Sequence, residues 1–219
     1  MQRGSYQPPT QFSVFPPVIK NLLILNVLFF MAQVVPSTDH MLTKWFALWP
    51  LGGPDIPGFA RFWPWQLVSY AFLHGGLSHI LFNMFALWMF GVQIENTWGS
   101  HRFFVFYMVC IIGAAVIQVA VTTMGPGFYP TIGASGGVFG LLMAFGMMFP
   151  EQPIYLYFLF PVKAKWFVVG YGLIELYGGV VGQSVVAHFA HLGGMLFGFL
   201  LIQYWRGKLP WKPEQRMYW

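Results

Sequence analysis

Apolar residues gather along the chain into six runs, roughly 18–37, 66–92, 102–123, 135–149, 164–183 and 187–205. Each run could be a membrane helix of the ~20-residue class, the fourth being the shortest. The pattern predicts an all-α, polytopic membrane protein built as a six-transmembrane-helix bundle over residues 18–205. Tails at 1–17 and 206–219 flank it. Pro-rich polar residues precede the first run and give no cleavable signal pattern, so that run is expected to stay as an anchor. The connection after it is about thirty residues long and rich in Pro, Gly, Trp and Phe ("KWFALWPLGGPDIPGFARFWPW"). A connection of that kind is expected to pack at the membrane interface rather than to be disordered.

Composition agrees with this. The 219 residues are 57% hydrophobic and only 8% charged, against about 25% charged in soluble domains. No stretch is left for a separate soluble domain. The net charge of +5 is not a nucleic-acid footprint, since in a membrane protein the placement of Lys and Arg carries the information. Six spans put both termini on one side. Arg3, Lys20, Arg102, Lys163, Lys165, Arg206, Lys208, Lys212 and Arg216 fall on that side, with Lys44 and Arg61 opposite. The termini are therefore expected to be cytoplasmic. The single cysteine, Cys110, excludes an intrachain disulfide framework.

The second, fourth and sixth runs then all point the same way, and each carries a polar group at one depth. Ser135 lies 15 residues before Pro150, His191 lies 15 before Arg206, and His79 lies 16 before Glu95. At 1.5 Å per residue these positions are all about 22–24 Å from the inner boundary of a ~30 Å hydrocarbon core. Ser135, boxed by Gly133, Ala134, Gly136 and Gly137, can be read as a nucleophile at a helix start, where free N–H groups face a developing oxyanion. It can equally be an N-cap beside a small-residue packing stripe. His191 sits between Gly194, Gly198 and Ala187 on one helix side, either as general base or as a buried interhelical histidine. His79 and Asn83, at i and i+4, share a face and can both donate hydrogen bonds, to an oxyanion or simply between helices.

No carboxylate stands at this level in a place suited to orient His191. Glu175 is the only acid well inside the later spans, near the outer end of its helix, where snorkelling is expected. His188 reads as a helix-start or interface residue, and His74 as a tie for the long loop. A Ser–His pair without a third member is thus expected. No metal site and no cofactor are expected, since no H-E-x-x-H is present.

Taken together, H-x-x-x-N (His79, Asn83), G-x-S-G (Gly133, Ser135, Gly136) and A-H-x-x-G-x-x-x-G (Ala190, His191, Gly194, Gly198) make the chain resemble the rhomboid family of intramembrane serine proteases. "ENTWGSHRFF", with Glu95 and Gly99, is similar to the family's E-x-x-x-G-S stretch. The resemblance covers roughly residues 60–205. It implies Ser135 as nucleophile, His191 as general base, and an oxyanion site made by His79, Asn83 and the Ser135 N–H. Gly133, Gly136, Gly194 and Gly198 would pack beside that site. It also implies transmembrane-helix protein substrates embedded among membrane lipids, no nucleic-acid partner, and a gate at the fifth helix and the loop to the sixth. With its bare six-helix core the chain is expected in a bacterial plasma membrane. Family members often carry a Trp–Arg pair in the first loop. Here the order is Arg61-Phe62-Trp63, so no role passes to Arg61. Two other functions fit the same residues: a catalytically silent relative that binds membrane clients, and a small transporter using Glu175 and the histidines as a proton path.

Overall fold

A computed structural model describes residues 12–53, 56, 58–125, 128–156, 159–181, 187–211, 213 and 216–217. In chain order the elements are α1 (Pro17–Gln33), α2 (Pro36–Phe46), α3 (Gln66–Ser69, prolonged by a 3-10 turn Tyr70–Phe72) and α4 (Leu77–Trp98). Then come α5 (Ser100–Met124), α6 (Ser135–Met148), strands β1 (Pro153–Leu156) and β2 (Phe160–Lys163), α7 (Ala164–Val181) and α8 (His188–Trp205). Each of the six apolar runs holds one long helix: α1, α4, α5, α6, α7 and α8. By length and composition α4 and α5 are long and apolar enough to cross a membrane, while α1 and α6 are shorter apolar helices.

The expected boundaries change at three places. The first run does not continue to residue 37. Pro36 lacks an N–H and drives Val35 out of the helical region (φ −86°, ψ 116°), so α1 stops at Gln33 and a second helix, α2, begins. The second run breaks at "LHGG", and α4 starts only at Leu77 but continues to Trp98. Finally, the chain is mostly helical rather than all-α. Residues 153–156 and 160–163 pair as an antiparallel hairpin, Pro153 opposite Lys163 and Leu156 opposite Phe160. The alternating Ile154-Tyr155-Leu156 run is β-prone and turns only Ile154 inward. Glu151 ties down the hairpin base, accepting from Lys165 and lying 2.7 Å from Lys163 Nζ. Hydrogen bonds from Lys163 and Lys165 hold its carboxyl down to about 2.

The long first connection is ordered by aromatic rings. Trp63 stacks on Trp65 at 4.9 Å, and Trp49 stacks on Phe128 at 5.3 Å. Its polar anchor is Gln66, which is buried and bonds Trp45, Trp49 and Arg61 through their backbones. Across the molecule Glu95, at the end of α4, closes the start of α1. Its carboxylate accepts the N–H of Val18 (3.0 Å) and Ile19 (2.9 Å) and the hydroxyl of Ser100 (2.6 Å). Pro16 offers α1 no side-chain cap, so a distant anion supplies one at the positive end of the helix. Gly99, at φ +80°, makes the tight α4–α5 reversal that places Ser100 there.

The centre of the fold is α8 packed on α5 and α6. Glycines set the separation. A methyl group added to Gly194 would stand 1.8 Å from the carbonyl oxygen of Gly136, and one added to Gly140 would stand 2.4 Å from Cys110 Sγ. Gly198 lies over the Gly140 carbonyl at 3.3 Å by the same measure. Backbone therefore meets backbone between α6 and α8, the arrangement small-residue stripes permit.

Because the Gly136 carbonyl cannot yield, Gly194→Ala is expected to destabilise by at least the upper end of the about 1–3 kcal/mol typical of overpacking. Gly170→Ala, whose added methyl meets nothing within 4 Å, is expected to hold or raise stability by up to about 1 kcal/mol. Unfolding in detergent measures both. Equal losses in the two variants would exclude backbone contact as the cause.

Candidate active site

Ser135 is the first residue of α6, not its cap; the cap position is Ala134 and receives no side-chain bond. The preceding Gly133 has φ +124°, a conformation that excludes side chains and lets the chain turn sharply into the helix. The Ser135 hydroxyl is thereby left to the site. Its Oγ lies 2.8 Å from Nε2 of His191. His191 comes from the first turn of α8, and the Gly136–Gly194 contact one residue along α6 is what brings the two helix starts together.

Phe139, one turn after Ser135 on the same face of α6, stacks flat on the His191 ring, with centroids 4.2 Å apart and planes 6° apart. Tyr171 of α7 backs it at 6.1 Å. The stack restricts rotation of the imidazole about its last torsion. Sequence reasoning did not find Phe139, although the i+4 spacing from Ser135 was there to use.

His79 stands on the other side of Ser135. Its Nδ1 accepts the N–H of Gly75 at 3.2 Å, so the proton of a neutral ring belongs on Nε2. That nitrogen sits against Gly133: a methyl group there would be 2.8 Å from His79 Nε2 and 3.7 Å from Ser135 Oγ. Gly133 thus keeps open a space bordered by a ring N–H and the serine hydroxyl. Asn83 is buried one turn further along α4, and one hydrogen of its amide goes to the His79 carbonyl at 2.9 Å. The second hydrogen of that amide is unassigned among the described hydrogen bonds. His74, whose backbone N–H donates to Gln33 Oε1, meets His79 edge-on at 5.1 Å.

The largest departure from expectation is Glu175. It is buried rather than snorkelling, and its Oε2 lies 2.6 Å from His188 Nδ1 and 2.9 Å from His191 Nδ1. A carboxylate does therefore stand behind His191. The His188 contact is a directed hydrogen bond, whereas the His191 contact is close but falls outside hydrogen-bond geometry. Glu175 was missed because α7 and α8 pack side by side, so the far end of α7 meets the start of α8. Depth counted along one helix does not reveal that pairing. An apolar cleft of about 480 Å³ opens between α6, α7 and α8, lined by Met143, Met147, Val168, Leu173, Met195 and Phe199. None of the Ser135 cluster lines it.

Residues 61–207 match the family model described as Rhomboid domain, well over half of the chain. The chain belongs to the rhomboid family. Among rhomboid relatives, the human presenilin-associated rhomboid-like protein, mitochondrial, is 30% identical over 203 residues, covering 90% of this chain and 50% of that protein. Rhomboid protein 1, mitochondrial, of Saccharomyces cerevisiae is 31% identical over 143 residues, 62% of this chain and 40% of that protein. RHOMBOID-like protein 4 of Arabidopsis thaliana is 31% identical over 140 residues, 63% of this chain and 33% of that protein. The chain spans about half the length of the first of these relatives, and less of the others. The rhomboid family is a membrane-protein family that includes intramembrane serine proteases. The human and yeast relatives are mitochondrial, so they lend no support to the bacterial plasma membrane expected from the sequence.

In this rhomboid the positive φ of Gly133 predicts a double effect of substitution. Gly133→Ala is expected to cost about 1–3 kcal/mol from its positive φ and to push the His79 ring aside. Combining it with His79→Ala should recover part of the loss, because the ring contact is then gone. Unfolding of the single and double variants in detergent tests this. Strict additivity would mean that Gly133 and His79 do not touch.

Proposed function

We propose that this rhomboid is an intramembrane serine endopeptidase that cleaves transmembrane segments of other membrane proteins. The observation that carries the proposal is the 2.8 Å contact between Ser135 Oγ and His191 Nε2, made inside an apolar helical bundle. His191 takes the hydroxyl proton as Ser135 attacks the substrate carbonyl, and the tetrahedral oxyanion forms beside Gly133. The N–H of Ser135, His79 Nε2–H and the free hydrogen of the Asn83 amide stabilise it. Collapse breaks the peptide C–N bond, and His191 returns the proton to the leaving amine. Water then releases the acyl group from Ser135 with the same base.

The bundle is placed in the membrane as six spans, α1, α4, α5, α6, α7 and α8, with both termini on the Lys- and Arg-rich side. In support, Val169, Leu173, Ile174, Leu176, Val180 and Val181 of α7 are all exposed, a face that a soluble helix fills with polar groups. A substrate helix must unwind before attack, because its carbonyls are hydrogen-bonded and shielded within the helix. Segments weakened by Gly or Ser are the expected substrates, and α7 is the helix proposed to admit them. The neighbouring loop expected to share in gating, residues 182–186, lies outside the described residues.

Proteolysis of a transmembrane substrate in liposomes is the test. Ser135→Ala and His191→Ala are each expected to lower kcat by at least about 10³-fold, as for a nucleophile and base that act as one unit. A fluorophosphonate probe should label the parent and not Ser135→Ala. A parent that binds such substrates without cutting them or reacting with the probe would instead be a client-binding relative.

A further inference from the structure

We propose that Glu175 is a positioning residue for His191, making the site a Ser135–His191–Glu175 relay held in place by His188. The inference rests on the reading of Ser135 and His191 as nucleophile and base.

A carboxylate buried on an apolar helix needs charged or hydrogen-bonding partners. For Glu175 these are the two imidazoles of α8, both reached by the same oxygen, Oε2. A carboxylate oxygen accepts, so His188 Nδ1, hydrogen-bonded to it, bears its ring's proton; at His191 the anion 2.9 Å from Nδ1 favours the proton on that nitrogen through its charge. For His188 that fixes the carboxylate in space through a 2.6 Å hydrogen bond. Gly178 makes room for this anchor: a methyl group there would stand 2.6 Å from the His188 ring. For His191 the consequence is chemical. A proton kept on Nδ1 leaves the Nε2 lone pair facing Ser135 Oγ, 2.8 Å away, ready to take the hydroxyl proton. When His191 becomes an imidazolium, the Glu175 charge 2.9 Å from Nδ1 stabilises it. The carboxylate does this through its field even though the contact is not aligned as a hydrogen bond. No proton moves to Glu175.

The same three side chains have the composition of a metal site and group within 4.8 Å, but the spacing favours protons. Ligands about 2.0–2.2 Å from a tetrahedral ion stand roughly 3.4 Å from one another. The contacts of 2.6 and 2.9 Å to Oε2 are shorter than that spacing.

Glu175→Gln keeps the shape and removes the charge. Its amide can donate to Nδ1 and so favour the wrong His191 tautomer. The full chain in liposomes is expected to show kcat and the fluorophosphonate labelling rate lowered about 10- to 100-fold, with KM for the transmembrane substrate unchanged. That loss is smaller than the about 10⁴-fold of a well-aligned triad carboxylate. Glu175→Asp, which restores the charge at a shorter reach, is expected to recover part of the rate. Thermal unfolding of Glu175→Gln should stay near that of the parent. Parent-like labelling and kcat in Glu175→Gln would overturn the relay and leave the Ser135–His191 pair standing. A loss in step with the unfolding temperature and not recovered by Asp would reduce Glu175 to a structural group and overturn it too. Activity abolished by chelation and restored by zinc would assign the cluster to a metal instead. A parent that is not labelled, or is labelled equally in Ser135→Ala, would sink the underlying pair and the relay with it.

Discussion

The contact between Gly136 of α6 and Gly194 of α8 decides the rest of the arrangement. There the two backbones stand so close that an added methyl group would meet a carbonyl oxygen at 1.8 Å. No larger residue at Gly194 allows that separation, and the serine–histidine contact depends on it. Ser135 precedes Gly136 by one residue, and His191 precedes Gly194 by three, less than one helical turn. A small increase in helix spacing would therefore open the 2.8 Å contact between Oγ and Nε2. Packing and chemistry rest on the same few glycines.

Glu95 and Glu175, the two buried carboxylates among the described residues, show what acids can do in a chain with so few of them. Glu95 neutralises a helix start, taking two backbone N–H groups of α1 and a serine hydroxyl. It binds α1 to the α4–α5 turn, far in sequence but adjacent in space. Glu175 takes two imidazoles instead. Neither acid is left without partners, as the cost of burying a charge requires. One use fastens the scaffold, and the other places a charge beside the base.

The aromatic first connection performs a third task. Its stacked tryptophans and the buried Gln66 hold Tyr70, whose carbonyl accepts the Gly133 N–H at 2.9 Å and whose hydroxyl donates to the Ile111 carbonyl at 2.8 Å. The turn that presents Ser135 is thereby pinned from the α3 side and from α5. Loop order reaches the site through Tyr70 and through the Leu48–Thr131 backbone bridge two residues before Gly133.

Much of this was legible beforehand, for definable reasons. Hydrophobic runs locate helices because burial or lipid contact demands continuous apolar length. Proline at 36 and the His74-Gly75-Gly76 stretch could have marked the breaks that run length alone overlooked. The hairpin at 153–163 looked like part of an apolar loop because a four-residue strand has too few positions to show its period. Depth counting matched Ser135, His191 and His79 because three helices running the same way share one axis of measurement. It failed for Glu175 because α7 lies beside α8 with its far end toward the start of α8, and lateral neighbours leave no mark on depth. The run pattern and motifs show which residues can carry chemistry, roughly where the six long helices lie, and that glycines allow two of them to touch. Which side chains meet is visible only in the packed bundle: Phe139 flat on His191, His79 against Gly133, and Glu175 between His188 and His191. Those contacts depend on helix rotation and pairing, which follow from packing the whole bundle at once and not from the period of any one segment.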